Sequence, residues 1–374
     1  MKKLTLTLLL LFVTLLGFGQ NHNHAFGRKI NFPNVEGYVT LKADLHIHTV
    51  FSDGSVWPDI RVQEAIRDGL DVISLTEHLE YQPHSADIPH PNRNRSYELA
   101  VRLARNSNLM IVRGSEITRS MPPGHSNAIF IEDANPMLKE EAMEAFQEAK
   151  NQNAFVFWNH PTWTGQEKDG IAKLYDLHRD LISKGLLHGI EVVNMDTYSE
   201  EALKIALDNN LTIMGTSDVH GLIDWDYETQ HGGHRPITLV FSKERSIESL
   251  QEGLTAGRTV VWYNNLLVGK EENMNLLLDA SLKVEKVEYP GNTSIAHVTI
   301  KNLSDTEFEL RNLTDFSFYD MADLVKIKPQ SETVIKVKTK DILSDFDLEF
   351  EVMNAVIAPK AHAKLTLHVA RTDN

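Results

Sequence analysis

Between Tyr38 and Val240, short apolar runs alternate with longer stretches in which apolar residues recur at helical spacing. Such alternation predicts repeated β/α units. The strands are expected at Val39 to His48, Asp71 to His78, Leu109 to Thr118, Ser126 to Ile131, Ala154 to His160, Gly189 to Asn194 and Leu211 to His220. The first helix is the best marked. Pro58 stands near its start, Val62, Ala65 and Ile66 share a face, and Gly69 closes it. Seven strands with helices between them predict an α/β barrel rather than an open sheet. After Tyr263 the period changes to two, with turn residues between Ile295 to Lys301, Glu307 to Leu310, Thr333 to Lys338, Asp347 to Val352 and Ala363 to Val369. That pattern predicts a small all-β sandwich over 277–374, behind a barrel domain over 38–268 and a linker at Gly269 to Leu276.

The first twenty residues follow neither pattern. Met1, Lys2 and Lys3 precede an apolar run from Leu8 to Leu16 that ends in Gly17, Gly19 and Gln20, the layout of a secretory leader over 1–20. The run is shorter than the roughly 20 residues needed to span a bilayer. The chain contains no cysteine, which excludes both disulfides and lipid attachment through a processed Cys. A periplasmic or secreted protein, free of the membrane once cleaved, is therefore expected. The formal net charge of −15 becomes two units more negative when Lys2 and Lys3 leave with the leader. A surface of that sign repels nucleic acid and anionic membrane, so neither is an expected partner.

Histidines carry the chemistry, because those before the β domain cluster at predicted strand ends, where α/β barrels build active sites. The first strand ends Asp44-Leu45-His46-Ile47-His48, and a turn with Asp53 and Gly54 follows. Residues two apart on a strand point to the same side, so His46 and His48 can chelate together. Thr76-Glu77-His78 ends the second strand, Glu116 lies at the end of the third, His125 precedes the fourth, His160 ends the fifth, and Asp218-Val219-His220 ends the seventh. A lone His-x-His is weak evidence. Six histidines and three carboxylates at successive strand ends read as a metal-ligand set, suited to Zn, Mn or Fe in the absence of thiolates.

These motifs resemble the PHP family, named for polymerase and histidinol phosphatase, over roughly Val39 to Tyr263. The resemblance implies a distorted, TIM-like seven-stranded barrel with three divalent metal ions. It implies one ion held by His46, His48, Glu116 and Asp218, a second by Glu116, His125 and His160, and a third by Asp53, His78 and His220. Glu77 departs from the family's usual Asp and puts in question only the surroundings of His78. The β domain resembles that of exported bacterial PHP phosphodiesterases. A small-molecule phosphate ester is the implied partner, attacked in line by a metal-bridging hydroxide held at Glu116, with the diester favoured and a monoester or an amidohydrolase-like substrate as alternatives.

Substrate contacts are sought in the loops after the strands. Tyr81, His84, His90, Arg93 and Arg95 follow the second strand, and His231, His234 and Arg235 follow the seventh. His234 and Arg235 come first among these, because Gly232 and Gly233 give the backbone freedom near His220. Trp57, Tyr81, Trp163 and Trp225 could cover an ester group, and Arg93, Arg95, Arg119 and Arg235 are the cations available to clamp one. Glu191 and Asn194 end a strand facing the pocket and are expected to support ligands rather than to bind metal. His178, His188, His362 and His368 are expected to be structural or superficial.

Overall fold

The computed structural model describes residues 29–371, so the leader expected over 1–20 lies outside them. All seven expected barrel strands are present: β1 (Val39–Ile47), β2 (Val72–Leu75), β3 (Met110–Ile117), β4 (Ser126–Ile129), β5 (Phe155–Trp158), β6 (Gly189–Asn194) and, after the short β7 (Thr197–Tyr198), β8 (Thr212–Thr216). Strands β1, β2 and β3 pair in parallel, as do β5, β6 and β8, while β4 runs antiparallel to both β3 and β5. The reversal of β4 brings its N-terminal end, with His125, to the face where its neighbours have their C-terminal ends.

Three further strands lie beyond the expected set. β9 (Ile237–Ser242) pairs antiparallel with β1, β10 (Thr259–Tyr263) with β9, and β11 (Leu266–Gly269) with β10. The curled sheet meets itself where β8 approaches β9 and β10. Thr238 Oγ1 donates to Gly215 O at 2.8 Å and accepts from Gly215 N at 3.0 Å, and Thr259 Oγ1 donates to Ile213 O at 2.8 Å. Only glycine fits at 215, since a Cβ there would lie 2.2 Å from Val261 Cγ1.

Helix α1 (Pro58–Asp68) has proline in its first turn and ends at Gly69 in the left-handed region, φ 71°, whose N–H reaches the carbonyls of Ala65 and Ile66. Its inner face carries Val62 and Ala65 together with the fully buried Arg61. The expected linker is instead mostly α-helical. Glu271–Ser281 forms a helix that buries Met274, Leu277 and Leu278 at helical spacing.

The β domain consists of two sheets. One holds β12 (Leu282–Glu288), β13 (Ile295–Asn302), β15 (Ser317–Phe318) and β17 (Glu332–Lys338), and the other holds β14 (Phe308–Asn312), β16 (Leu324–Ile327), β18 (Asp345–Ala358) and β19 (Ala361–Ala370). Alternate residues turn inward, among them Val298, Ile300, Leu348, Phe350 and Leu367. The second sheet joins the barrel sheet through parallel pairing of β11 with β18 at Leu267–Ala355 and Val268–Val356. Among the described residues, no helix is long and apolar enough to cross a membrane.

Candidate metal centre

All nine sequence-derived ligands converge at one end of the barrel. His46 on β1 and His48 just past its end, both fully buried, bring their Nε2 atoms within 3.0 Å of each other and within 3.1 and 3.2 Å of Asp218 Oδ1. Glu116, also fully buried, stands at the centre of the cluster. Its Oε1 faces His125 Nδ1 at 3.1 Å and His160 Nε2 at 3.5 Å, and its Oε2 faces His78 Nδ1 at 2.6 Å and His48 Nε2 at 3.6 Å. Asp53 makes a third focus, with His220 Nε2 3.1 Å from Oδ1 and His78 Nε2 3.3 Å from Oδ2. Three overlapping groups of donors have ligand spacing: His46, His48 and Glu116; His78, Glu116 and His125; and His48, Asp53, His78 and His220.

Two observations show that these residues fit metal ions. Glu116 Oε2 and Asp53 Oδ1 are buried and face only histidine nitrogens, the nearest at 2.6 and 3.1 Å, in geometry too poor to satisfy them by hydrogen bonding, a costly arrangement unless an ion completes them. His160 and Asp218 take positive φ, 29° and 48°, which is rare for residues with a Cβ and is concentrated at functional sites.

Surrounding side chains hold the donors in place. Glu191 Oε1 accepts from His46 Nδ1 at 2.8 Å and from Thr216 Oγ1 at 2.5 Å, while Oε2 accepts from the His160 backbone N–H at 2.6 Å and from Asn194 at 2.8 Å. One carboxylate thus orients two ligands, a common device around metals. Asn159 Nδ2 donates to Glu116 Oε1 at 2.8 Å. The Glu77 carboxylate accepts from Thr49 Oγ1 and Ser52 Oγ, both at 2.5 Å, and so fixes the turn that carries Asp53. Arg61 donates to the carbonyls of His48, at 2.9 Å, and Val219, at 3.1 Å, tying the two His-bearing motifs together from below.

The donors are strongly coupled electrically. Burial opposes a charged His46, yet the carboxylates of Asp218, Glu191 and Glu116 push its pKa up to about 10. Burial likewise opposes a charged His78, and Glu116 and Asp53 raise it to about 11. His48 falls to about 3, because burial is reinforced by the neighbouring His220 and His78. Burial would raise Glu116 and Asp218, but facing histidines hold both well below the usual carboxylate range. Metal-ligand binding at His46 and His78 therefore has to displace protons.

A cavity of about 410 Å³ opens above the donors, walled by Thr162, Trp163, Thr164, Met195 and Asp196. Trp163, anticipated as an ester cover, lies with its ring 5.4 Å from His160 and 5.7 Å from His125. Tyr81 stands edge-on to His78 at 5.8 Å, but neither it nor His84, Trp57 or Trp225 lines the cavity. Among the described residues, no lysine or arginine lines it either.

The expected substrate-orienting pair is placed elsewhere. Arg235 is fully buried and spans Asp44, at 3.2 Å, and Asp68, at 2.9 Å, where it joins β1 to α1 beneath the site. His234 stacks on Trp262 with ring centroids 3.6 Å apart and lines a different cavity. Arg93 caps the carbonyl of Leu79 and His90 bonds the Phe51 carbonyl, so these two hold the loop in place, while Arg95 begins the helix Arg95–Ala104 and pairs with Glu98 on its surface. Met195 and Asp196, in the turn after β6, carry no motif and were not anticipated.

An Ig-like domain family model matches residues 282–368. No curated protein matches the chain. Among solved structures, a two-domain protein from Bacteroides vulgatus containing a predicted PHP-like metal-dependent phosphoesterase is 41% identical, with 92% of this chain and 99% of that one aligned and a TM-score of 0.86. A candidate metal-dependent phosphoesterase from Bifidobacterium adolescentis is 18% identical over 48% of this chain and 88% of its own, with a TM-score of 0.39. An amidohydrolase from Chromobacterium violaceum with bound sulfate and no metal is 14% identical over 48% and 87%, with a TM-score of 0.36. The last two are too distant to bear on the chemistry.

Proposed function

The chain belongs to the PHP-like metal-dependent phosphoesterases, and on that premise we propose that it is an exported phosphodiesterase working with three divalent ions, Mn, Zn or Fe. His46, His48, Glu116 and Asp218 would hold the first ion, Glu116, His125 and His160 the second, and Asp53, His78 and His220 the third. The observation that carries this reading is the position of Glu116, whose two oxygens face different sets of histidines and lie 2.6 to 3.7 Å from them. A carboxylate so placed serves as a shared ligand.

Divalent ions so held would withdraw charge from phosphoryl oxygens and would lower the pKa of a bound water towards 7. The chain's own residues set the geometry for that chemistry. Glu191 and Asn159 fix His46, His160 and Glu116, and Trp163 and Met195 provide apolar cover for an ester group. The wall favours a diester. A monoester dianion calls for cations beyond the metals, but among the described residues the wall offers none, and Asp196 adds a negative charge at the rim. Export rests on the leader-like sequence of residues 1–20 and suits the scavenging of phosphate from external esters.

The test is kcat/KM for ethyl p-nitrophenyl phosphate against p-nitrophenyl phosphate on Mn-loaded protein. The diester should be preferred. A preference of about tenfold or more for the monoester, about 1.4 kcal/mol in the transition state, would turn the assignment to phosphatase.

A further inference from the structure

The metal cavity adjoins a larger one. Asp196, in the turn between β6 and β7, lines both the metal cavity and a cleft of about 810 Å³ between the barrel and the β domain. The barrel side of the cleft comes from the loop at 226–234 and from Asn264 and Asn265, and the β domain supplies Asp305 and Pro329. Its volume falls in the range of about 300–1,000 Å³ usual for small-molecule sites.

The lining indicates what fits. Among the described residues, the apolar part of the lining comes from Trp262, Tyr227, Tyr263 and Pro329 and not from aliphatic side chains, so the cleft offers ring faces beside polar groups, which suit a sugar or polyol better than an acyl chain. Its formal charges are Asp196, Asp226, Glu228 and Asp305 against Lys29, which repels a second phosphate or a nucleotide. Carboxylates accept hydrogen bonds and do not donate them, so they match the hydroxyls of an uncharged alcohol. The stacking of His234 on Trp262, at an interplanar angle of 6°, gives the cleft a firm side.

The geometry points to a subsite for the second alcohol of the diester, a neutral hydroxylated group such as a glycosyl or polyol residue that passes Asp196 from the metal cavity into the interdomain cleft. This deepens the phosphodiesterase reading and rests on it. It also gives the β domain a part in substrate choice, through Asp305 and Pro329.

The experiment uses Mn-loaded full-length protein and three p-nitrophenyl phosphodiesters that differ in the second alcohol: ethanol, the 6-hydroxyl of methyl glucoside, and glycerol 3-phosphate. Hydrolysis releases p-nitrophenolate from each and leaves the second alcohol as its monoester. The glucoside ester should exceed the ethyl ester in kcat/KM by about tenfold or more, and the ester with the extra phosphate should fall below it. His231→Trp, at an exposed position of the cleft wall, should bring the glucoside-to-ethyl ratio close to one. Glu228→Lys should raise the phosphorylated ester relative to the ethyl ester. A wild-type ratio near one, or a high ratio that survives His231→Trp at unchanged metal content, overturns the subsite while diester turnover still supports the phosphodiesterase reading. No turnover of any diester overturns both.

Discussion

In the β domain, buried polar side chains serve the backbone. Asn302 Nδ2 donates to the carbonyls of Thr306, Ile327 and Lys328, and Asn354 Nδ2 donates to those of Asn265 and Glu307, so each closes a turn that would otherwise bury bare carbonyls. In the barrel, His46, His48, Glu116 and Asp218 turn towards one another instead, and Glu116 Oε2 faces the nitrogens of His78 and His48. Burial of polar atoms is common to both domains. What separates the site from the scaffold is where those atoms turn: towards backbone carbonyls around Asn302 and Asn354, towards other ionisable side chains around Glu116.

The sharpest way to break this contrast is to remove one residue of each kind. Glu116→Gln should lower kcat/KM by several kcal/mol in the transition state, about 10³-fold, and deplete metal, because it weakens a ligand shared between sets. Phe350→Ala, in the β core, should cost about 3–5 kcal/mol of folding stability and leave metal per folded chain unchanged. Chemical denaturation and elemental analysis on both variants read the two effects separately. If Phe350→Ala stripped metal as thoroughly as Glu116→Gln, the two domains would not be functionally distinct in the way described.

A smaller effect is expected one step back from the donors. Glu191→Gln keeps the shape but weakens the acceptor for His46 Nδ1 and the His160 N–H, so metal affinity or activity should fall about 10–100-fold. Metal titration against a competing chelator measures it, and an unchanged affinity would mean that Glu191 merely fills space.

The smallest effect is on pH dependence. In metal-stripped protein, His46 and His78 have pKa values raised to about 10 and 11 from an ordinary 6.5. Their stabilising contribution is thus fully present below about pH 6.5 and is lost as pH rises towards 10 and 11. His48, lowered to about 3, works in the opposite sense and removes stability as pH falls below about 6.5. Urea unfolding of the stripped protein should therefore show lower stability at pH 9.5 than at pH 7, and a rise over that interval would contradict the charge coupling.

Much of the site was legible in the sequence because its ligands lie in short local motifs at strand ends. His46 and His48, at the end of β1 and just past it, need only the two-residue period of a strand to be brought together, whereas Asp218 and His220 lie beyond β8 and are placed by a turn in which Asp218 is left-handed. Arg235 carries no such signal: its partners Asp44 and Asp68 lie 191 and 167 residues away, and only the fold shows that it is buried between them. Met195 and Asp196 escaped for the same reason, being wall residues in a turn without a motif. In the fold, β12 was missed because a register shift between Val284 and Lys286 breaks its alternation. The polar run Lys270 to Asn273 likewise concealed the start of the helix that replaces the expected linker.

The proposed centre turns on Glu116 acting as a ligand shared between two of the three ions. Elemental analysis of purified protein, beside its Glu116→Ala and Asp53→Ala variants, tests that directly. Close to three divalent ions per wild-type chain are expected, with Glu116→Ala losing more metal than Asp53→Ala. A wild-type count near one, or equal losses from the two variants, would contradict it.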